Sequence, residues 1–216
     1  MPAQLTLWGR KTSANVQKTL WLLDELGLPY VHKPVGGAFG GLDAAYRRLN
    51  PNGLVPTLQD GDLTVWESHA TVRYLAAAYG DDFMWPADPR RRALVDQWTD
   101  WTATTFQPAW IGLFWALVRT PPELRDAAAI AALHAKSLAT FAILDAELSR
   151  RPFLSGGAFG YADIVAGVAL YRWFDMEIVR PEMPAVEAWY ARLAERPAFR
   201  DTVMVSYADL VGRLAF

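Results

Sequence analysis

The chain has 216 residues, of which 52% are hydrophobic and 20% are charged, and its formal net charge is −2. This composition excludes a disordered chain, and the balanced charge gives no electrostatic basis for binding nucleic acid or an anionic membrane. Because the sequence contains no cysteine, it excludes disulfides, a thiolate metal site and a cysteine nucleophile, so any thiol chemistry must come from a ligand.

The first elements alternate between strand and helix. Residues 5–8 have the apolar alternation of a short strand, which Gly9 ends. Residues 13–26 begin with helix-capping residue types and continue with apolar residues on one helical face, and Gly27 ends this predicted helix. Residues 30–35 then predict a second strand.

A glycine-rich loop and a hairpin follow. Residues 36–41 are mostly glycine, but the Gly-Lys-Ser/Thr of a phosphate-binding loop does not follow them. Residues 42–49 fit a short helix. Asp60-Gly61-Asp62 lies between two apolar segments and predicts a hairpin turn. Residues 67–79 predict the next helix, which Gly80 ends.

The order of these elements, β-α-β-α-β-β-α, predicts an α/β domain with a mixed sheet over residues 1–80. The segment 81–89 carries prolines and aspartates and is typical of a connection between domains. No convincing strand follows it, so residues 88–216 should form an all-α second domain. Its helices are predicted at 89–118, 122–149, 161–175 and 183–195.

Membrane, export and metal sites are not indicated. No apolar run approaches the roughly 20 residues that span a bilayer, and the first four residues lack the features of a signal peptide. The three histidines lack metal-ligand spacing. We therefore expect a cytoplasmic protein with no membrane partner, no nucleic-acid partner and no metal.

The most informative segment is residues 50–58, Asn-Pro-Asn-Gly-Leu-Val-Pro-Thr-Leu. Its turn residues precede Val55-Pro56, where a proline at a strand start is plausible in the cis form and would turn the Val55 backbone toward a ligand. Glu67-Ser68 opens a helix, where free N–H groups favour an anion. Together these features predict a site for a small extended peptide and its carboxylate.

This arrangement resembles the cytosolic glutathione transferases, of the bacterial serine or theta-like type, over essentially the whole chain. The resemblance is carried most specifically by residues 50–58, and then by segments 67–70, 73–75, 27–30, 153–156 and 161–164. It implies a thioredoxin-like α/β N-terminal domain that binds glutathione and an all-α C-terminal domain that binds the second substrate. It also implies a homodimer.

The resemblance further implies which residues contact glutathione. Val55 would pair its backbone with the cysteinyl part, with cis-Pro56 holding that geometry, and Glu67 and Ser68 would bind the γ-glutamyl end. The implied set is Arg10, Phe39, Asn52, Leu54, Val55, Pro56, Glu67 and Ser68.

The chain departs from the family pattern at two positions. Leu54 stands where the family commonly has a lysine that helps to hold the glycyl carboxylate, so that contact would pass to Arg10, Lys11 or Asn52. Gly160 stands where the family usually has Ser or Thr, which leaves Asp163 alone to cap the helix that follows.

The chemistry requires a thiolate. A free thiol has a pKa near 8.5, and a hydroxyl hydrogen bond together with a helix N-terminus can lower it by about one to two units. Ser13 follows the first strand, where serine-type family members carry the activating hydroxyl, and Asn15 could donate through its amide. Thr12 is a further candidate, and ordinary helix capping is the alternative role for Ser13 and Asn15.

An aromatic stretch in the second domain has two interpretations. Its near-helical spacing fits core packing, and the same residues could instead line an apolar pocket that faces the sulfur. The candidates for contact with a hydrophobic substrate are Trp101, Thr105, Trp110 and Phe114.

The resemblance thus implies a detoxifying glutathione transferase, which joins the thiolate of reduced glutathione to small hydrophobic electrophiles. Reduced glutathione would be a co-substrate, and no cofactor would be bound permanently. The alternatives are a glutathione-dependent isomerase or peroxidase on the same site, and a non-catalytic binding or assembly module.

Overall fold

The structure is a computed structural model that describes residues 4–214. Residues 1–3 and 215–216, the outermost residues of the two predicted domains, lie outside the described residues.

A four-stranded sheet forms the centre of the first domain. Its strands are β1 (Leu5–Trp8), β2 (Tyr30–Lys33), β3 (Thr57–Asp60) and β4 (Leu63–Trp66), in the order β2-β1-β3-β4. Strand β2 pairs with β1 in parallel, whereas β3 pairs with β1 and β4 in antiparallel fashion. The mixed sheet predicted from the sequence is therefore confirmed.

Three helices complete this domain: α1 (Ala14–Glu25), the short α2 (Ala44–Arg47) and α3 (Ser68–Tyr79). Helices α1 and α3 pack against each other beside the sheet. The predicted apolar face of α1 is fully buried at Val16, Leu20 and Leu23. The first turn of α1 thus lies just after the end of β1, where a ligand can approach the sheet.

The second domain is helical, as predicted. Its first long helical segment begins as α4 (Pro89–Trp101) and continues as α5 (Gln107–Phe114), with π-helical stretches at Thr102–Phe106 and Trp115–Arg119. The remaining helices are α6 (Ala127–Leu148), α7 (Tyr161–Gly167), α8 (Leu170–Asp175), α9 (Pro184–Ala194) and α10 (Pro197–Thr202).

Three sequence-based boundaries need correction. The predicted helix 89–118 is continuous in path but changes to π-helical geometry twice, a feature that is frequent at functional sites. The predicted helix 161–175 is divided between α7 and α8. Helix α10 was not predicted; it begins at Pro197, and proline is well tolerated in the first turn of a helix.

Helix α6 also corrects the expectation about apolar segments. It is long and apolar enough to cross a membrane by length and composition alone, with a mean hydropathy of 1.6. Its many alanines raise that value. The helix nevertheless packs against α5 and α9, and it buries Phe141, Leu144 and Leu148 in the helical core.

The start of α7 confirms the predicted role of Asp163. The Asp163 carboxylate accepts hydrogen bonds from the backbone N–H groups of Gly160 at 3.1 Å and Leu154 at 2.8 Å. It also accepts from the Trp189 indole at 3.0 Å. Burial raises the pKa of Asp163, while hydrogen bonds from Ser155, Leu154 and Gly160 oppose that shift. One carboxylate therefore joins the start of α7 to α9.

Candidate functional site

The loop before β3 is held by hydrogen bonds to one carbonyl group. The Tyr46 hydroxyl and the Asn50 side-chain amide donate to the Leu54 carbonyl oxygen at 2.7 and 2.8 Å. The Val55-Pro56 peptide bond that follows is cis, which confirms the prediction. The Leu54 side chain is 63% exposed, and Asn52 is exposed at the turn. The Val55 backbone is thus presented at a fixed position just before the inner strand β3.

The start of α3 has an unusual backbone. Glu67 has a φ of 70°, a left-handed conformation that is uncommon for residues other than glycine and that is often found at functional sites. The Glu67 side chain is exposed, whereas Ser68 is buried beside it. The predicted pair is therefore arranged as one surface carboxylate and one buried hydroxyl at a helix N-terminus.

Ser13 lies at the N-terminus of α1 with an extended backbone. Within the described part of the chain, its hydroxyl caps no backbone N–H group of the helix, so the capping interpretation is not supported for Ser13. The neighbouring hydroxyl of Thr12 donates to the Asp209 carboxylate at 3.1 Å. Of the two adjacent hydroxyls, Thr12 is therefore engaged by the C-terminal segment.

Asn15 belongs to a buried polar network. Its side-chain oxygen accepts from Lys18 Nζ at 3.0 Å, from Gln107 Nε2 at 3.0 Å and from Ser68 Oγ at 3.3 Å. Lys18 also contacts Ser68 Oγ at 3.4 Å and His69 Nε2 at 2.9 Å, and it donates to Gln107. The network joins α1, α3 and the second domain directly beneath the candidate site.

Burial changes the ionisation of this network. Lys18 is 1% exposed, and desolvation lowers the pKa of its ammonium group to about 7, against the opposing attraction of Glu67. Burial, followed by the charges of Lys18 and Arg73, lowers the pKa of His69 well below its ordinary value. A neutral imidazole therefore faces an amine that changes charge near neutral pH.

A cavity of about 150 Å³ opens beside Ser13. One wall comes from the loop after β1 and the first turn of α1, and the other from the second domain. The lining residues are Arg10, Thr12, Ser13, Ala14, Asn15, Gln107, Ile111, Phe114, Trp115, Arg119, Arg172 and Leu210.

Only one of the four residues predicted to contact the hydrophobic substrate is among the described residues that line this cavity, namely Phe114. Trp110 is not among those lining residues and, like Phe114 one helical turn later, is 1% exposed, so its contact with a substrate stays a prediction. Trp101 stacks on Phe106 with ring centroids 5.4 Å apart. Thr105 directly precedes Phe106 in the π-helical stretch Thr102–Phe106.

Arg10 and Phe39 lie on different cavities. Arg10 lines the cavity beside Ser13, whereas the 61% exposed Phe39 lines a second cavity of about 240 Å³. Lys11 and His32 also line this second cavity. Thr12 lines both cavities, and each cavity also has a cation, Arg10 in the first and Lys11 in the second. Either cation could take the place of the lysine that the family commonly has at position 54.

Several residues of the site were missed in the sequence. A signal was present for some of them. The spacing of Gln107, Ile111 and Trp115 is that of residues on one helical face, and Asn15 and Lys18 have the i, i+3 spacing of neighbours on a helix. Arg119 and Arg172 had no comparable signal. Their positions depend on how distant helices pack.

Comparisons with known proteins agree with this geometry. Residues 12–78 match the family model of the glutathione S-transferase N-terminal domain, and residues 127–192 match that of the C-terminal domain. Glutathione S-transferase GstB of Escherichia coli K12 is 47% identical over 204 residues, which cover 93% of this chain and 98% of that protein. Glutathione S-transferase 3 of Zea mays is 35% identical, covering 93% of this chain and 94% of that protein.

The fold also matches a solved structure closely. The theta-class glutathione S-transferase of Xanthomonas axonopodis pv. citri, with glutathione bound, superposes with a TM-score of 0.90 at 53% identity. The match covers 95% of this chain and 99% of that one. The thioredoxin-like first domain, the helical second domain and the matches to both family models lead to one conclusion: the chain belongs to the glutathione S-transferase family.

Proposed function

We propose that this enzyme binds reduced glutathione beside the start of the inner strand β3 and that Ser13 stabilises the thiolate for attack on a small electrophile. The observation that carries the proposal is the position of the Ser13 hydroxyl. It stands on the cavity wall at the N-terminus of α1 without capping the helix within the described chain.

Glutathione binding would use three fixed elements. The Val55 backbone, held through the Leu54 carbonyl, pairs with the cysteinyl unit of the tripeptide. Glu67 and Ser68 receive the γ-glutamyl end, where the exposed carboxylate of Glu67 attracts the α-ammonium group and the helix N-terminus attracts the α-carboxylate. The glycyl end of the tripeptide would then lie in the second cavity, beside Lys11 and Phe39.

Thiolate formation would depend on a charge-assisted hydrogen bond. A free thiol with a pKa near 8.5 is only a few per cent ionised at pH 7. The Ser13 hydroxyl donates to the sulfur, and the free N–H groups at the start of α1 add a favourable field. Thr12 is engaged by Asp209, so Ser13 is the better placed of the two adjacent hydroxyls. The amide nitrogen of Asn15, whose oxygen is held by the buried network, is the alternative donor.

The electrophile would enter the cavity between the two domains. Ile111, Phe114 and Trp115 supply its apolar wall. A volume of about 150 Å³ is below the roughly 300–1,000 Å³ of sites for drug-sized ligands, which favours a small molecule. The thiolate attacks carbon, a C–S bond forms, and the leaving group departs with the electron pair of the broken bond.

The test is direct. Calorimetry with reduced glutathione measures binding, and turnover of a generic aryl halide such as chlorodinitrobenzene measures transfer. Binding with turnover supports the proposal. Binding without turnover of an aryl halide, an alkyl halide or an activated alkene would favour the non-catalytic module. Reduction of an organic hydroperoxide in preference to conjugation would favour the peroxidase, and glutathione-dependent isomerisation of an activated double bond would favour the isomerase.

We also propose that the enzyme is a cytoplasmic homodimer with a role in detoxification. Members of the family usually pair across the two domains, and both domains expose large apolar side chains. Leu63 and Trp66 on β4 are 41% and 37% exposed, and Leu94 on α4 is 55% exposed. Burial of such surface against a second copy would be favourable. The absence of cysteine fits, without requiring, a reducing compartment.

A further inference from the structure

The ammonium group of Lys18 lies where three helices meet. It donates to Asn15 Oδ1 on the same helix at 3.0 Å and to Gln107 Oε1 on α5, and it lies 2.9 Å from His69 Nε2 on α3. The hydroxyl oxygen of Ser68 on α3 is 3.4 Å away. An ammonium group has three hydrogens for these four acceptors, so the contact with Ser68, the longest, is the one that it satisfies least.

The hydroxyl hydrogen of Ser68 is weakly held. Among the described residues, this hydroxyl contacts Lys18 Nζ at 3.4 Å and Asn15 Oδ1 at 3.3 Å, and both distances are long for a hydrogen bond. A charged ammonium group has no lone pair and cannot accept from the hydroxyl. Asn15 Oδ1 already accepts from Lys18 and Gln107. The Ser68 hydroxyl can therefore turn its hydrogen to a ligand at little cost.

The surroundings of Ser68 favour an anion as that ligand. Ser68 is the first residue of α3, where backbone N–H groups are free and the helix dipole is positive. Lys18 adds a positive charge from beneath, and because it is 1% exposed, solvent screens that charge little. A carboxylate at this position would accept from the Ser68 hydroxyl and be attracted by the buried ammonium group.

The charge of Lys18 responds to the groups that face it. Burial lowers the pKa of Lys18 to about 7, and the charge of Glu67 on α3 opposes that shift. His69 faces Lys18 as a neutral imidazole, because burial and then the charges of Lys18 and Arg73 lower its pKa. The contacts from α1 and α5 come from uncharged amides. Near pH 7 the amine is therefore divided between two forms, and a bound anion would favour the charged one.

We propose that Lys18 is a positioning residue of the glutathione site: its ammonium group, anchored to Gln107, directs the Ser68 hydroxyl hydrogen toward the α-carboxylate of the γ-glutamyl unit. This inference rests on the proposed glutathione site and adds a buried charge to it. In the neutral amine, a lone pair would accept from the Ser68 hydroxyl and compete with the ligand. Lys18 would thus act through Ser68 rather than on the reacting atoms.

The probe for this role is S-methylglutathione, which keeps both carboxylates and the α-ammonium group of glutathione but has no thiol to ionise. Calorimetry measures its Kd between pH 6 and pH 8 for the wild type and for Lys18→Met, which has an apolar side chain of similar length. Lys136→Met, at an exposed position on α6, is the matched control. Comparison of variant with wild type cancels any titration of the ligand itself.

At pH 6, Lys18→Met should bind this probe about tenfold more weakly than the wild type, because a charge-assisted interaction is lost. If the bound carboxylate raises the pKa of Lys18 by about one unit, the affinity of the wild type should fall about fivefold from pH 6 to pH 8. The affinity of Lys18→Met should stay constant, and Lys136→Met should follow the wild type.

Proton uptake gives an independent measurement. At pH 7.5 the same one-unit shift predicts that the wild type takes up about half a proton for each S-methylglutathione bound. Calorimetry in buffers of different ionisation enthalpy measures this uptake, which Lys18→Met should lose. The uptake of the wild type needs no variant, so its absence would overturn the inference even if substitutions at Lys18 prevented folding.

A purely structural role for Lys18 predicts a different pH dependence. Loss of its proton relieves the cost of a buried charge, so the fold becomes more stable as the pH rises. An affinity of the wild type that stays constant or rises from pH 6 to pH 8 would therefore overturn the inference. Equal Kd values for the wild type and Lys18→Met at pH 6 would do the same. So would a loss of affinity in Lys18→Met that is equal at every pH, because the charge would not be its source.

Turnover of chlorodinitrobenzene distinguishes the γ-glutamyl end from the sulfur. At pH 6.5, Lys18→Met should raise the KM for glutathione about tenfold and keep kcat within about threefold, since Ser13 acts on the sulfur. A lower kcat with an unchanged KM would overturn the inference and locate the effect at Asn15. If the wild type neither binds S-methylglutathione nor turns over the aryl halide, the proposed function fails as well.

A second variant separates the charge from the hydrogen bonds. Lys18→Gln keeps a donor at this position without the charge, so it should bind S-methylglutathione with intermediate affinity and without pH dependence. Thermal melting establishes that each variant is folded. Retention of the wild-type pH dependence in Lys18→Gln would assign the titration to another group and overturn the inference, while the proposed transferase function would stand.

Discussion

The side-chain oxygen of Asn15 lies 3.0 Å from Nζ of Lys18 and accepts a hydrogen bond from it. The same oxygen accepts from Ser68 and from Gln107 of the second domain. Asn15 is therefore fixed by contacts that span both domains, and its side-chain amide nitrogen is the group that could donate to a thiol. Ser13, through its hydroxyl, and Asn15, through this amide, are thus the two candidate donors that substitution of each residue distinguishes.

Ser13→Ala should raise the pKa of the enzyme-bound thiol toward its free value. Loss of a charge-assisted hydrogen bond costs about 1.5–3 kcal/mol, which corresponds to about one to two pKa units. Turnover near pH 7 should fall roughly ten- to a hundredfold and recover as the pH rises. Ultraviolet absorbance of the thiolate during a pH titration measures the shift. Asn15→Ala is the comparison, and a shift in that variant but not in Ser13→Ala would move the catalytic assignment to Asn15.

Lys18 should make stability depend on pH. Its folded-state pKa of about 7 lies below its ordinary value of 10.5, so the unfolded state binds more protons between these values. The cost of burying the charge is fully present below about pH 7 and is relieved as the pH rises. Stability should therefore increase from pH 7 to pH 9, and Lys18→Met should remove this part of the increase.

Urea unfolding at several pH values measures the effect, and the difference between variant and wild type isolates Lys18 from other titrating groups. Lys136→Met, at an exposed position on α6, is the control and should leave the profile unchanged. Parallel profiles for wild type and Lys18→Met would show that the amine stays charged in the folded state.

Glu67→Ala should weaken glutathione binding without unfolding the protein. The carboxylate is exposed at the start of α3, so its contribution to the fold is small. A hydrogen bond to a charged group is worth about 1.5–3 kcal/mol, which predicts a roughly ten- to hundredfold higher Kd. Calorimetry measures the affinity, and Glu123→Ala, an acidic residue in an exposed turn, is the control.

Ser68→Ala should also weaken binding, with a different secondary effect. Ser68 is buried and bonds to Asn15 and Lys18, so its loss disturbs the network beneath the site as well. We expect a small loss of melting temperature together with the loss of affinity. Unchanged affinity in both this variant and Glu67→Ala would remove the pair from the glutathione site.

Asp163→Ala should be strongly destabilising. Four donors converge on this carboxylate: the backbone N–H groups of Leu154, Ser155 and Gly160, and the indole of Trp189. Unpaired buried donors cost about 1–3 kcal/mol each before relaxation, so a loss of several kcal/mol is expected. Urea denaturation measures it. Asp126→Ala, which removes an exposed helix cap on α6, should cost only about 1 kcal/mol.

The homodimer should be visible by light scattering. At micromolar concentration the mass should be twice the 24.1 kDa of the chain. A family dimer that buries the apolar side chains of both domains should persist on dilution through the micromolar range. A single-chain mass throughout that range would refute the proposed assembly.

The sequence by itself determined the local structure of the first domain and the position of its binding loop. The hairpin at Gly61, the cis bond before Pro56 and the cap at Asp163 depend on residues close together in the chain. Such signals act over a few residues, so turn chemistry and apolar periodicity sufficed to predict them. The α/β and all-α division followed from the same patterns.

Only the tertiary structure decided which side chains share the site. Lys18 meets Gln107, and Arg172 meets Thr12, across 89 and 160 positions of sequence. Phe114 is among the residues that line the cavity and Trp110 is not, although both are 1% exposed aromatic residues on the same side of α5. Contacts at that separation depend on how whole elements pack, and packing is decided by the complementary shape of many surfaces at once, so no short pattern in the sequence encodes it.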